Sequence, residues 1–200
     1  EHPGGSLRWL RDLLQPLMPL SGDAAYDWLI ERATASPPGA DGLVFLPYLT
    51  GERTPYVDPL ARGVFFGLHL GHRLEHLVRA VLEGVAFSLR QGLELMQQAG
   101  APTDLARGAG GGLQSAVWLE TMADALGIGI QTTTAGMGAA RGAAVLAGMG
   151  VQLYGDANIG IAWAAQPVQL PDAGRRVALA PAFARYSRLY PLLQSEFGQS

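Results

Sequence analysis

The sequence predicts an α/β fold, because apolar runs of strand length alternate with longer segments of helical periodicity, and one of those runs leads through three glycines into a helix. At 200 residues, 48% hydrophobic and 16% charged, the chain is long enough for one domain with a sizeable core.

Leu7, Leu10, Leu13 and Leu14 recur at helical spacing and predict a helix over 6–15 with Ser6 as its N-cap. A second helix is predicted over 23–35, stopped by Pro37, Pro38 and Gly39. Residues 43–46 suit a short buried strand, and the proline-rich and turn-rich stretch on to Arg62 reads as a long charged loop, where function tends to sit. Residues 63–68 read as a second strand. The longest helix follows, with Leu74, Leu77, Val78, Val81, Val85, Leu89, Leu93 and Met96 on one face. On its other face Glu75, Arg79 and Glu83 stand four residues apart, a ladder of ion pairs worth roughly 0.2 to 0.5 kcal/mol each.

Gly100 and Pro102 end that helix. Residues 104–109 read as a strand, and Gly110, Gly111 and Gly112 turn the chain into a helix on which Trp118, Leu119, Met122 and Leu126 share a core-facing stripe. A strand over 128–131 and a small-residue helix over 138–149 come next, and the pattern then weakens until an amphipathic helix over 183–197.

Composition excludes several chemistries. The net charge is −3 with no block of like charges and no arginine stripe, which argues against a nucleic-acid partner. With neither cysteine nor lysine, the chain offers no disulfide, thiolate nucleophile, Schiff-base lysine or Walker A lysine. No apolar run reaches the length of a membrane span and no leader opens the chain, so the expectation is a cytoplasmic protein without a membrane partner. The start at Glu1 without methionine suggests a piece of a longer polypeptide.

Three features carry candidate chemistry. Glycines after a strand let backbone N–H groups approach an anion while the next helix directs its positive end there, although the same glycines also serve a tight turn. A dinucleotide fold is not indicated, because position 113 is leucine and the following strand ends in Gln131 and threonines rather than an acidic residue. In the loop Gly51-Glu52-Arg53-Thr54-Pro55, Arg53 is placed to reach a phosphate or sugar while Glu52 orients it; a structural ion pair pinning the loop is the simpler reading. His69, His72 and His76 are spaced by three and four, but Gly71 and the lack of an obvious fourth ligand favour ordinary surface histidines, so no metal site is expected.

Together these segments resemble the second domain of the FGGY carbohydrate kinases. GVFFGL at 63–68, followed seven residues later by HLVRAVLE at 76–83, fits that family's second signature. LPYLTGERTP at 46–55 is similar to the LPYLSGERTP loop of the branch acting on D-xylulose, residues 110–127 resemble the adenosine motif, and GAARGAAVLA at 138–147 resembles the closing helix. The resemblance implies an actin-like, ribonuclease H-like lobe over 1–200, the nucleotide side of a two-lobed sugar kinase, lacking its first strands and its N-terminal sugar-binding lobe. It further implies ATP and Mg²⁺ as cofactors, D-xylulose as substrate, Gly110, Gly111, Gly112 and Ser115 along the ATP, and the helix from Gly138 on the far side. The family's aspartate base would fall upstream of Glu1, so the catalytic residue is unidentified and the chain alone would be inactive. Arg141 and Tyr56 depart from the family's usual leucine and histidine. Two alternatives stay open: a kinase for ribulose, gluconate or glycerol, and a catalytically silent nucleotide-binding module. A homodimer is also left open.

Overall fold

The structure, a computed structural model, describes residues 5–18, 20–133, 138–156 and 165–198. Its longest central element is α3 (Leu74–Gln98), against which α1 (Gly5–Leu14), α2 (Asp23–Ala33), β1 (Val44–Leu46) and α4 (Ala116–Leu126) pack. Close approach explains one residue choice in α3. A Cβ at Gly84 would lie 2.2 Å from the Phe45 carbonyl oxygen, so only glycine lets this helix rest on β1. Val78, Val81, Leu82 and Phe87 then fill the core with Leu29, Leu43 and Leu46.

Because α3 is enclosed on several sides, its second face is not the solvated ladder that the spacing suggests. Arg79 and Glu83 are 7% and 1% exposed and form a buried ion pair, Nε to Oε1, at 2.6 Å. The same Glu83 oxygen accepts the Gly39 N–H at 2.8 Å, tying α3 to the turn that follows α2. Burial pushes the Glu83 carboxyl above its ordinary range, against the opposing pull of Arg79.

Two small sheets carry the loops. In the first, β1 pairs antiparallel with β2 (Val64–Phe66), and the charged loop connects them. In the second, β3 (Leu105–Gly108) pairs parallel with β4 (Gly129–Thr133) through the α4 crossover, and β4 pairs antiparallel with β5 (Ala165–Gln169). The helix α5 (Gly138–Gly150) follows β4 in sequence.

The final helix, α6 (Ala173–Phe197), begins ten residues before the sequence pattern places it, with Asp172 as its N-cap accepting the Arg175 N–H at 2.8 Å. Pro181 and Pro191 interrupt its backbone bonding and blur its periodicity. Among the described residues no helix is long and apolar enough to cross a membrane.

Candidate functional site

The parallel pairing of β3 with β4 aligns Gly108 with Thr132, so both strands end at one edge of the sheet. Gly110, Gly111 and Gly112 follow β3 directly, at the end of that strand, while Gly138 opens the helix α5 that comes after β4 in sequence. In an open α/β sheet the carboxyl ends of parallel strands are where ligands bind.

The glycine turn does not pass straight into α4. A 3₁₀ turn over Gly111–Gln114 intervenes, and Ser115 is the N-cap of α4, its hydroxyl accepting the Trp118 N–H at 3.4 Å. Trp118 is 3% exposed and belongs to the core, as its place on the apolar stripe suggests. Gly110 stands at φ 130° and ψ 159°, a conformation reserved for glycine. A Cβ placed there would find nothing within 4 Å, so the turn is open on that side. At Gly108, by contrast, a Cβ would meet Leu113 at 2.3 Å; this nearby glycine serves packing. An open, glycine-lined turn at a strand end fits a phosphate approached by backbone N–H groups.

Glu52 and Arg53 lie in the β1–β2 loop, and no hydrogen bond, ion pair or ring contact joins them to the glycine turn among the described residues. The ion pair that the sequence suggests is replaced by a backbone clamp. Glu52 Oε1 accepts the N–H groups of Arg53 and Thr54, each at 2.7 Å, because adjacent residues in a tight turn present their amides to a carboxylate more readily than their side chains reach it. Glu52 is 7% exposed, its second oxygen is buried without a partner, and the Arg53 side chain is exposed. Backbone bonds between Glu52 and Asp58, 2.8 and 3.0 Å, close the loop on itself.

The three histidines pack ring on ring, 3.8 Å between His69 and His72 and 5.3 Å between His72 and His76. Their Nδ1 atoms accept backbone N–H groups from Gly71, His69 and Arg73, which leaves those lone pairs engaged. His76 Nε2 meets Asp41 Oδ2 at 3.1 Å, so the cluster caps α3 and fastens it to the preceding turn. Among the described residues no group of three or more His, Cys, Asp or Glu suits a metal ion.

Two arrangements near the loops escaped the sequence reading. Asp124 on α4, 2% exposed, is bonded by Arg175 Nε and by the Asp172 N–H at 2.7 Å. Tyr190 on α6 donates to Asp58 Oδ2 at 2.8 Å and stacks on Tyr56 with ring centroids 3.8 Å apart. Burial, and then the hydrogen bond to Asp58, push the Tyr190 phenol up to about 12, while the same bond holds the Asp58 carboxyl below its usual range. The available signal was an aspartate and a tyrosine at opposite ends of the chain, which sequence spacing does not connect.

Comparisons with known proteins identify the family. The profile of the FGGY family of carbohydrate kinases, C-terminal domain, matches residues 4–151. A xylulose kinase of Bacillus subtilis (strain 168) is 35% identical over 147 residues, covering 74% of this chain and 28% of that protein. A gluconokinase of the same organism is 41% identical over 124 residues, 59% of this chain and 24% of that protein. The crystal structure of xylulose kinase from Rhodospirillum rubrum superposes with a TM-score of 0.83 at 34% identity, covering 98% of this chain and 39% of that one. The chain thus spans 28% of the xylulose kinase and 24% of the gluconokinase that it matches.

Proposed function

Since this chain belongs to the FGGY family of carbohydrate kinases, as a C-terminal domain, we propose that it is the nucleotide-side lobe of a kinase that passes the γ-phosphoryl group of ATP to D-xylulose, giving xylulose 5-phosphate. The carrying observation is the glycine turn that follows β3 at the carboxyl end of the parallel strand pair, with Gly110 open on its outer side.

Phosphoryl transfer asks a protein mainly for positioning and charge neutralisation. The backbone of Gly110, Gly111 and Gly112 lies along the phosphates in this reading, Ser115 holds α4 in place by capping it, and α5 from Gly138 closes the far side. Mg²⁺ supplies charge neutralisation at the β- and γ-phosphates when bound. Magnesium keeps most of its contacts to phosphate and water, which suits a lobe whose described residues present no carboxylate cluster. Asp41, Asp58 and Asp124 are bonded to His76, Tyr190 and Arg175, so none is assigned as the base. In this reading that role belongs to an aspartate outside residues 1–200.

The substrate assignment rests on the loop at 46–55 and on the xylulose kinase relatives. The gluconokinase, at 41% identity, favours gluconate as the second reading. ADP release by the intact kinase polypeptide with Mg-ATP separates the two. A preference for D-xylulose over gluconate, ribulose and glycerol is the expected result, and a preference for gluconate transfers the assignment. Gly111→Asp places a carboxylate where phosphate approaches and is expected to abolish Mg-ATP binding measured by calorimetry; unchanged affinity would remove the glycine turn from the site.

A further inference from the structure

The family profile ends at residue 151, so α6 lies beyond the matched part of the chain, yet it touches both loop-bearing regions. Its first turn is locked to α4 through Asp124 and Arg175. Its second half is locked to the β1–β2 loop: Tyr186 and Tyr48 share a hydroxyl hydrogen bond of 3.1 Å, Tyr190 donates to Asp58, and Tyr56 and Tyr48 pack on the Tyr190 ring.

Within the loop, Asp58 is paired through the backbone with Glu52, and Glu52 clamps the amides of Arg53 and Thr54. A short chain of contacts therefore runs from Tyr190 through Asp58 and Glu52 to the backbone of Arg53. The two arginines of the loop differ in what they do. Arg62 turns back on the carbonyls of Pro59 and Ala61, whereas the Arg53 guanidinium is exposed and has no hydrogen-bond or ion-pair partner among the described residues.

We propose that Tyr190 is a positioning residue which, through Asp58 and Glu52, holds Arg53 out as a fixed cation for phosphate oxygens. The proposal rests on the kinase reading and on the sequence expectation that Arg53 reaches a phosphate. A guanidinium is suited to that role because its planar fork pairs with phosphate in two hydrogen bonds, and fixing its backbone lowers the ordering cost of binding.

The test uses the intact kinase polypeptide and the variants Tyr190→Phe, Asp58→Asn, Arg53→Ala and Tyr190→Phe with Arg53→Ala. Phenylalanine keeps the ring stack on Tyr56 and removes only the hydroxyl. Native trypsin digestion reads the loop directly: cleavage after Arg53 should rise about ten-fold in Tyr190→Phe and in Asp58→Asn, as expected for loss of a hydrogen bond to a charged group, with cleavage after Arg32 in α2 unchanged. Calorimetric affinity for Mg-ATP and the KM for ATP should weaken in Tyr190→Phe and weaken more in Arg53→Ala. The double variant should match Arg53→Ala alone, because Tyr190 acts only through that residue. Unchanged cleavage in both single variants overturns the clamp, and multiplicative effects in the double variant overturn the route through Arg53. If the unaltered protein phosphorylates no sugar, the kinase reading fails, while the cleavage result still decides whether Tyr190 positions Arg53.

Discussion

Gly110 combines an open outer side with a backbone that other residues avoid, so its role is conformational rather than a matter of room. Gly110→Ala is expected to cost about 1 to 3 kcal/mol through backbone strain alone, read as a lower denaturation midpoint with an unchanged denaturant slope. A neutral outcome would mean that the turn relaxes freely. The Arg79–Glu83 pair poses the opposite problem, charge held inside α3. Glu83→Gln keeps an acceptor for the Gly39 N–H but leaves Arg79 buried without its carboxylate, and breaking such a pair costs roughly 3 kcal/mol or more. Thermal unfolding of that variant checks the value, and a change within a few tenths would show that water reaches Arg79. The pair was partly legible in the sequence. The i,i+4 spacing was visible, but its burial depended on β1 and α2 covering the same face, and the only hint was Gly84, the glycine that admits β1.

At the scale of elements, helices with a clean apolar stripe were legible to within a few residues: α1, α2, α3 and α5 occupy nearly the predicted ranges. The strand pair β3 and β4 and its glycine turn were legible for the same reason, since local composition alone encodes a strand, a turn and a helix. Both β5 and the first turns of α6 were missed, because an edge strand with Pro167 lacks alternation and Pro181 breaks the helical period. The contacts of α6 with the β1–β2 loop lie further beyond sequence reading, since they join residues more than a hundred positions apart. They carry a pH dependence of defined sign. Tyr190 has a folded value near 12, above the ordinary tyrosine range, so its contribution is fully present below about pH 10 and is lost as pH rises through the folded value. Alkaline titration should therefore find tyrosinate absorbance appearing above the ordinary tyrosine range, with an amplitude that falls by one residue in Tyr190→Phe. A difference between the two titrations that falls at the ordinary tyrosine value would show that the Tyr190 phenol is not engaged in solution.

For the molecule as a whole, the division of labour follows from where charge and openness sit. The glycine turn follows β3 of one sheet, the β1–β2 loop belongs to a separate sheet, and α6 packs against both α4 and β1. In the proposed reading such a lobe holds a nucleotide by its backbone, yet Asp41, Asp58 and Asp124 are tied to partners, and among the described residues no group of three or more His, Cys, Asp or Glu could hold a metal ion. The 200-residue chain by itself is accordingly expected to bind Mg-ATP in calorimetry, more weakly than the intact kinase polypeptide, and to release no ADP when D-xylulose is added. Binding without turnover is what the proposed reading expects, because affinity would draw on the glycine turn while transfer also needs a base and an acceptor site. Measurable turnover by this chain alone would place the base among residues 1–200 and return the aspartates of the β1–β2 loop and of α4 to consideration. Absence of nucleotide binding, with the fold confirmed by circular dichroism, would instead mean that the phosphate contacts of the intact enzyme come chiefly from elsewhere in the polypeptide.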